Sequence, residues 1–422
     1  HANGFGGTAN SADFTGGNGT GGEAFLLAQV GSTLQINIAQ VSAGGQGGTG
    51  PQAKGGNGFG GLAYIRARDS GSSITINEGP VGPFDAVNQS ALVGAIGVGG
   101  QSNGGDGIGG TGTGGTMDVA ASNGGSITLP SSAGTLGSLR LFARGFGGAS
   151  TVEGGAGGLG VGGTGSLTVD AGTLTAGPLH ISAFAQGGSS AMPSANITGG
   201  DAQGGQRFIT VVNGGTLTAG FPAGVSGGSG GSGSGTGNGG NGSGGLANLE
   251  VIGATANLVG RSIVFAGGNG GNASAGNGGN ATFGQANLVV DDGGVINLLP
   301  DGAGLAELIV GANAFAGDSV SGIGGNALPQ AATAVIGAGT INGGILRVEA
   351  TARAGFSECG TGGFASGGDA SVLVNGGTLT LAELVINADT SGGGSETGTN
   401  GAALGGGALL QAVNGTITTS AG

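Results

Sequence analysis

The sequence predicts an all-β fold, a parallel β-helix (solenoid) of about ten coils with long glycine-rich, polyproline II-like arms. Three observations predict it. An apolar landmark recurs along the whole chain, at Leu34, Ile74, Ile127, Leu174, Leu217, Leu258, Ile296, Ile341, Leu379 and Ile417. Its mean spacing of about 43 residues falls in the range of solenoid and propeller repeats. The corner before it keeps its chemistry, as in Asp69-Ser70-Gly71, Asn123-Gly124-Gly125, Asp170-Ala171-Gly172, Asn213-Gly214-Gly215, Asp292-Gly293-Gly294, Asn375-Gly376-Gly377 and Asn414-Gly415. Asn, Asp and Gly tolerate the positive φ that a sharp corner between strands demands. Finally, the flanking segments alternate: in Leu34-Gln35-Ile36-Asn37-Ile38 the apolar residues share one face, the pattern of a half-buried strand.

One repeat, Ala370 to Gly394, shows the elements in order. A short apolar strand, Val372 to Val374, meets the Asn375-Gly376-Gly377 corner. A second strand follows at Thr378 to Leu381 and a third at Leu384 to Ala388, after which the sequence dissolves into glycine. Residues 345–351 alternate in the same way, with Leu346, Val348 and Ala350 expected inward and Arg347, Glu349 and Thr351 outward. No segment carries a helical period, and glycine is too dense for one. The arms after each third strand hold most of the length variation. The longest lie between Ala95 and Gly115, Gly224 and Gly245, and Gly267 and Gly279. Their Gly-Gly-X grammar, as in Gly267-Gly268-Asn269-Gly270-Gly271-Asn272, matches the three residues per turn of polyproline II and predicts packed, extended arms. Propeller blades carry four strands and aromatic signatures. This chain has no Trp and one Tyr, Tyr64, so a three-stranded solenoid coil fits better. Residues 1–422 read as a single repetitive domain that begins and ends within a repeat.

Composition sets the class. Of 422 residues 114 are Gly, 37% are hydrophobic and 7% are charged. Val, Ile and Leu gather in short runs, so a core can form and the chain is not disordered through lack of apolar residues. Nine prolines without a strict Gly period exclude collagen. The net charge is −13, with one Lys, Lys54, and Arg residues scattered singly. Without a basic patch, nucleic acid and anionic membranes are poor partners. No apolar run approaches the roughly 20 residues of a transmembrane helix. Cys359 is the sole cysteine, which rules out an intrachain disulfide.

Candidate chemistry is sparse. A β-helix hydrolase or lyase needs clustered carboxylates on one face. The acidic residues here are dispersed, and the one adjacent pair, Asp291-Asp292, sits at a corner. His180 lies between Leu179 and Ile181, so alternation points it outward, and His1 is terminal, leaving no metal site or catalytic dyad. Gly104-Gly105-Asp106-Gly107 approaches a calcium-binding nonapeptide once, without tandem repetition. The Thr-Leu-Thr strands at Thr173 to Thr175, Thr216 to Thr218 and Thr378 to Thr380 would stack into outward Thr rows, broken where Gln35 or Asn297 stands. No catalytic, cofactor-binding or metal-binding residue is assigned.

The coil motifs Val212-Asn213-Gly214-Gly215-Thr216-Leu217-Thr218 and Val374-Asn375-Gly376-Gly377-Thr378-Leu379-Thr380 resemble those of large bacterial surface β-helices, the filamentous-haemagglutinin and autotransporter-passenger type of adhesin. The arms depart from that pattern and are more like the glycine-rich polyproline II bundles of some phage tail-tip adhesins and antifreeze proteins. The resemblance implies a non-enzymatic, extracellular or cell-surface structural protein, of bacterial origin, in a filament or adhesin stalk. A polysaccharide-binding or polysaccharide-cleaving β-helix is the alternative expectation, and an ice-binding protein the third. The chain opens in an arm, since residues 1–7 resemble Phe142 to Gly148, and stops after a second strand at Ile417 to Gly422. Neither end carries a polar cap, which predicts head-to-tail stacking or continuation in a longer chain, with lateral packing through the arms.

Overall fold

The computed structural model describes the chain except for residues 10–13, 52–53, 78–88, 105–106, 131–136, 193–194, 283, 329–330 and 421–422. The described residues form no helix; they form four parallel sheets whose strands stack coil upon coil. Two sheets have 10 strands each, and the others 11 and 13. With neighbouring strands about 4.8 Å apart, ten coils make a rod about 48 Å long.

Within a coil the chain runs as the repeat pattern predicts. The fifth coil starts with the strand Gln206–Val212, turns through Asn213 and Gly214 at φ of 55° and 77°, and continues as Thr216–Ala223. The left-handed residue is usually Asn, Asp or Gly, but Val30 and Ala171 also stand at positive φ, 57° and 51°. Alternation puts Leu167, Val169, Ile209, Val211, Leu249 and Val251 inside, all fully buried. Leu346, Val348 and Ala350 are buried likewise.

The landmark residues form one aliphatic ladder with a single correction. Leu34, Ile74, Ile127, Leu174 and Leu217 pair in register, but the next rung is Ala256, followed by Ile296, Ile341, Leu379 and Ile417. Leu258 stands two residues further on, between Ala219 and Leu298, also buried. The corner at Gly253-Ala254 is one residue shorter than Asn213-Gly214-Gly215, which turns Ala256 and Leu258 inward together and sets Ala256, not Leu258, opposite Leu217. The third strand is also more variable than the repeat suggests. Early coils keep it beside the second strand, as in Ser138–Phe142, whereas later coils fuse it with the arm, as in Arg261–Asn269 and Ile345–Arg353.

The arms are the distinctive element. In each coil an outgoing arm and a returning arm lie face to face, and together they build a two-layered fin along the rod. Between the layers runs a zipper of backbone hydrogen bonds. Gly17 N–H donates to Gly7 O, Gly48 to Gly17, Gly56 to Gly48, Gly100 to Gly56, and so on through Gly200, Gly240 and Gly325 to Gly401. Nineteen such bonds of 2.7–3.0 Å join twenty glycines from one end to the other. Each peptide both donates and accepts, so the buried backbone of the fin is satisfied without side chains. Glycine is required here by proximity: a Cβ on Gly158 would lie 2.1 Å from Gly110 O, and one on Gly240 2.0 Å from Gly200 O. The arms are thus packed and extended, as their Gly-Gly-X grammar predicts.

Candidate functional site

Most polar and charged side chains contact the coil before or after their own. On the outside of the first-strand sheet, Arg66 Nε donates to Asp118 Oδ2 at 2.6 Å, and Ser166 Oγ donates to Asp118 Oδ1 at 2.7 Å. Arg66 also lies over the Tyr64 ring, which stacks on Phe25 with centroids 5.1 Å apart. Glu307 is held between Arg261 Nε at 3.1 Å and Arg347 Nε at 2.5 Å. These are ladder contacts spanning successive coils.

The singled-out residues take structural places. Asp292 is a corner residue at φ 50°, and the Asp291 carboxylate accepts from the backbone N–H groups of Ala338 and Asp292 at 2.8 Å each. Those two bonds hold the Asp291 pKa below its ordinary value. His180 points outward but is only half-exposed, in register with Arg140. Burial, then the charges of Arg140 and Arg207, lower its pKa. His1 and Cys359 are exposed. Of the calcium-like motif, Gly105 and Asp106 lie outside the described residues. Among the described residues no three His, Cys, Asp or Glu side chains come together as a metal site would require.

Sequence reasoning missed three features. Arg207 sits inside the core, fully buried, where the same rung holds Met117, Gly165 and Ala247. Its Nη1 donates to Gly224 O at 3.0 Å and Ile263 O at 2.9 Å, while Nε and Nη2 have no hydrogen-bond partner among the described residues. Burial lowers its pKa to about 10, so it remains a cation at neutral pH. Room for it comes from Gly224, where a Cβ would lie 2.5 Å from Nη1. A lone Arg after Gln206 gave no sign of this, because Gln206-Arg207-Phe208 suits a strand with Arg207 exposed equally well.

The second is the continuity of one hydroxyl column, where the sequence predicts stacked but broken Thr rows. The Thr row through Thr75, Thr128, Thr175 and Thr218 does break, into Asn257, Asn297 and Asn342. The neighbouring column, two residues earlier on each strand, reads Thr33, Ser73, Ser126, Thr173, Thr216, Thr255, Val295, Thr340, Thr378 and Thr416. Nine of its ten members carry a hydroxyl, and only Val295 interrupts it.

The third is on the outer face of the returning arms. Five consecutive coils carry X-Gly-Gly-X there: Ala156 with Leu159, Thr198 with Asp201, Asn238 with Asn241, Asn277 with Asn280, and Ile323 with Asn326. Stacked, the X residues form two ribs along the rod, and the glycines between them floor an open trough of about 790 Å³. A smaller trough of about 340 Å³ runs beside it, lined by Gln203, Ser243, Thr282 and Leu328 on its far side. The ribs hold themselves by amide ladders. Asn241 N–H donates to Asp201 Oδ1 at 2.7 Å, Asn280 N–H to Asn241 Oδ1 and Asn326 N–H to Asn280 Oδ1, both at 2.9 Å. In the second rib Asn277 N–H donates to Asn238 Oδ1 at 2.8 Å and Ile323 N–H to Asn277 Oδ1 at 2.9 Å. The Gly-Gly-X grammar was legible; the stacking of X on X required the coil register.

These features define the molecule as a parallel β-solenoid whose coils each carry a glycine fin, with amide-lined troughs on one face of the fin. No known family model matches the chain, and no curated protein matches it in sequence.

Proposed function

We propose that the protein is a non-enzymatic structural rod, a segment of a bacterial extracellular filament or adhesin stalk. The observation that carries this reading is the glycine zipper: the same backbone bond repeats across all ten coils, a uniform axial linkage suited to a load-bearing spacer. Head-to-tail contact between such rods that does not close generates a filament. Electron microscopy of the protein at micromolar concentration tests the reading: rods that are multiples of about 48 Å long are expected, and a population of single, capped particles would overturn it.

The hydroxyl column favours a second reading, ice binding by the second-strand sheet. Its nine hydroxyls lie on one regularly spaced face. Thermal hysteresis abolished by Thr216→Lys is the expected result on that reading, and ice growth unaffected by the wild-type protein excludes it.

A further inference from the structure

We propose that the main trough on the returning-arm face binds a neutral, extended glycan chain. The proposal is independent of whether coils stack end to end. It starts from the direction of the amides. The group facing each rib side chain is a backbone N–H, a donor, so Oδ1 must meet it and Nδ2 must turn away. The Nδ2 groups of Asn238, Asn241, Asn277, Asn280 and Asn326 have no partner among the described residues, and all five side chains are exposed. Within the same rib Asp201 serves the ladder equally well with a carboxylate oxygen, at 2.7 Å. The ladder therefore needs only an acceptor. The ten N–H donors that Asn supplies beyond it are surplus to folding and available to a ligand.

Their arrangement selects the ligand. Ribs three residues apart on a polyproline II-like arm are separated by about 9 Å, and successive amides along a rib by about 4.8 Å. The floor at Gly199, Gly239, Gly278 and Gly324 has no side chains, so a thin chain can lie against backbone for five coils. The walls offer donors at short regular intervals, while their oxygens are already engaged. A polypeptide laid there would leave its own N–H groups unpaired. A polysaccharide presents ring, glycosidic and hydroxyl oxygens on every sugar, and its hydroxyl hydrogens can stay turned to water. Charge narrows the class further. Among the described residues no Lys or Arg lines the trough and Asp201 is its one charged group, and the protein carries −13 overall, so uronates, sulfated glycans and nucleic acids are repelled.

The test uses substitutions that keep the ladder and remove the donors. Asn241→Asp and Asn280→Asp each preserve the acceptor oxygen, as Asp201 already does, and should leave the melting temperature unchanged. Titration calorimetry of the full chain with cellohexaose, maltohexaose and mannohexaose is expected to show saturable binding of at least one. Either variant should weaken it by roughly tenfold or more. Asn287→Asp, on the first-strand sheet, should leave binding intact. Failure of all three sugars to bind at millimolar concentration overturns the proposal, as does equal binding by wild type and Asn280→Asp. Sedimentation velocity supplies the last arm: if Asn280→Asp dissolves a lateral dimer of the intact protein, the trough seats a second copy and the glycan reading falls.

Discussion

At the scale of single residues, identity follows from what lies within an ångström or two. Gly200 has ordinary φ, yet a Cβ there would lie 2.1 Å from Gly158 O, and backbone cannot step aside. Gly200→Ala should therefore destabilise by about 1–3 kcal/mol or more. Gly94→Ala, whose Cβ would meet nothing within 4 Å, should be neutral or stabilising, and urea unfolding of the pair separates proximity from composition. Arg207 is the opposite case, a large cation in a rung otherwise filled by Met, Gly and Ala. Replacing a buried, incompletely paired charge with an apolar residue is often neutral or stabilising. Arg207→Met should hold or raise the melting temperature, and a clear fall would show that the two carbonyl bonds outweigh the desolvated charge. Asp291 gives a pH dependence with a definite sign. Its folded pKa lies below 3.8, so its contribution is present above the unfolded value and is lost as pH falls through the folded one. The corner at residues 291–294 should loosen below about pH 4. Asn at that position keeps an acceptor without the proton, so Asp291→Asn should flatten that limb in an acid titration followed by amide exchange.

At the scale of elements, the ladder rung is the unit. Leu217→Ala removes a fully buried side chain between Leu174 and Ala256 and should cost about 2–5 kcal/mol, read from denaturant unfolding. Much of this scale is legible in the amino-acid sequence alone. Period-two alternation and Asn-Gly corners are local signals, and they place the strands at Thr216 and Thr378 and the arms that follow. Register is not local. Leu258 looks like every other landmark, and only the pairing of Leu217 with Ala256 shows that Leu258 stands one inward position further along its strand. The candidate site is less legible still. The near-continuous hydroxyl column and the amide ribs emerge when residues some forty positions apart are laid side by side, and arm length varies enough between coils to hide that alignment. Arg207 leaves no local trace because its compensation, Gly224, lies 17 residues on, between the strands Thr216–Ala223 and Val225–Ser229.

At the scale of the whole molecule, the fin gives the rod a preferred plane of bending. A beam resists flexure in proportion to how much material stands far from its neutral axis, and the fin is a web projecting from one side of the coil stack. Curving the rod within the plane of that web must stretch or compress the zipper bonds, already set at 2.7–3.0 Å, whereas curving it across the web leaves them almost unstrained. A filament built from such segments would flex like a ribbon, stiff edgewise and compliant flatwise.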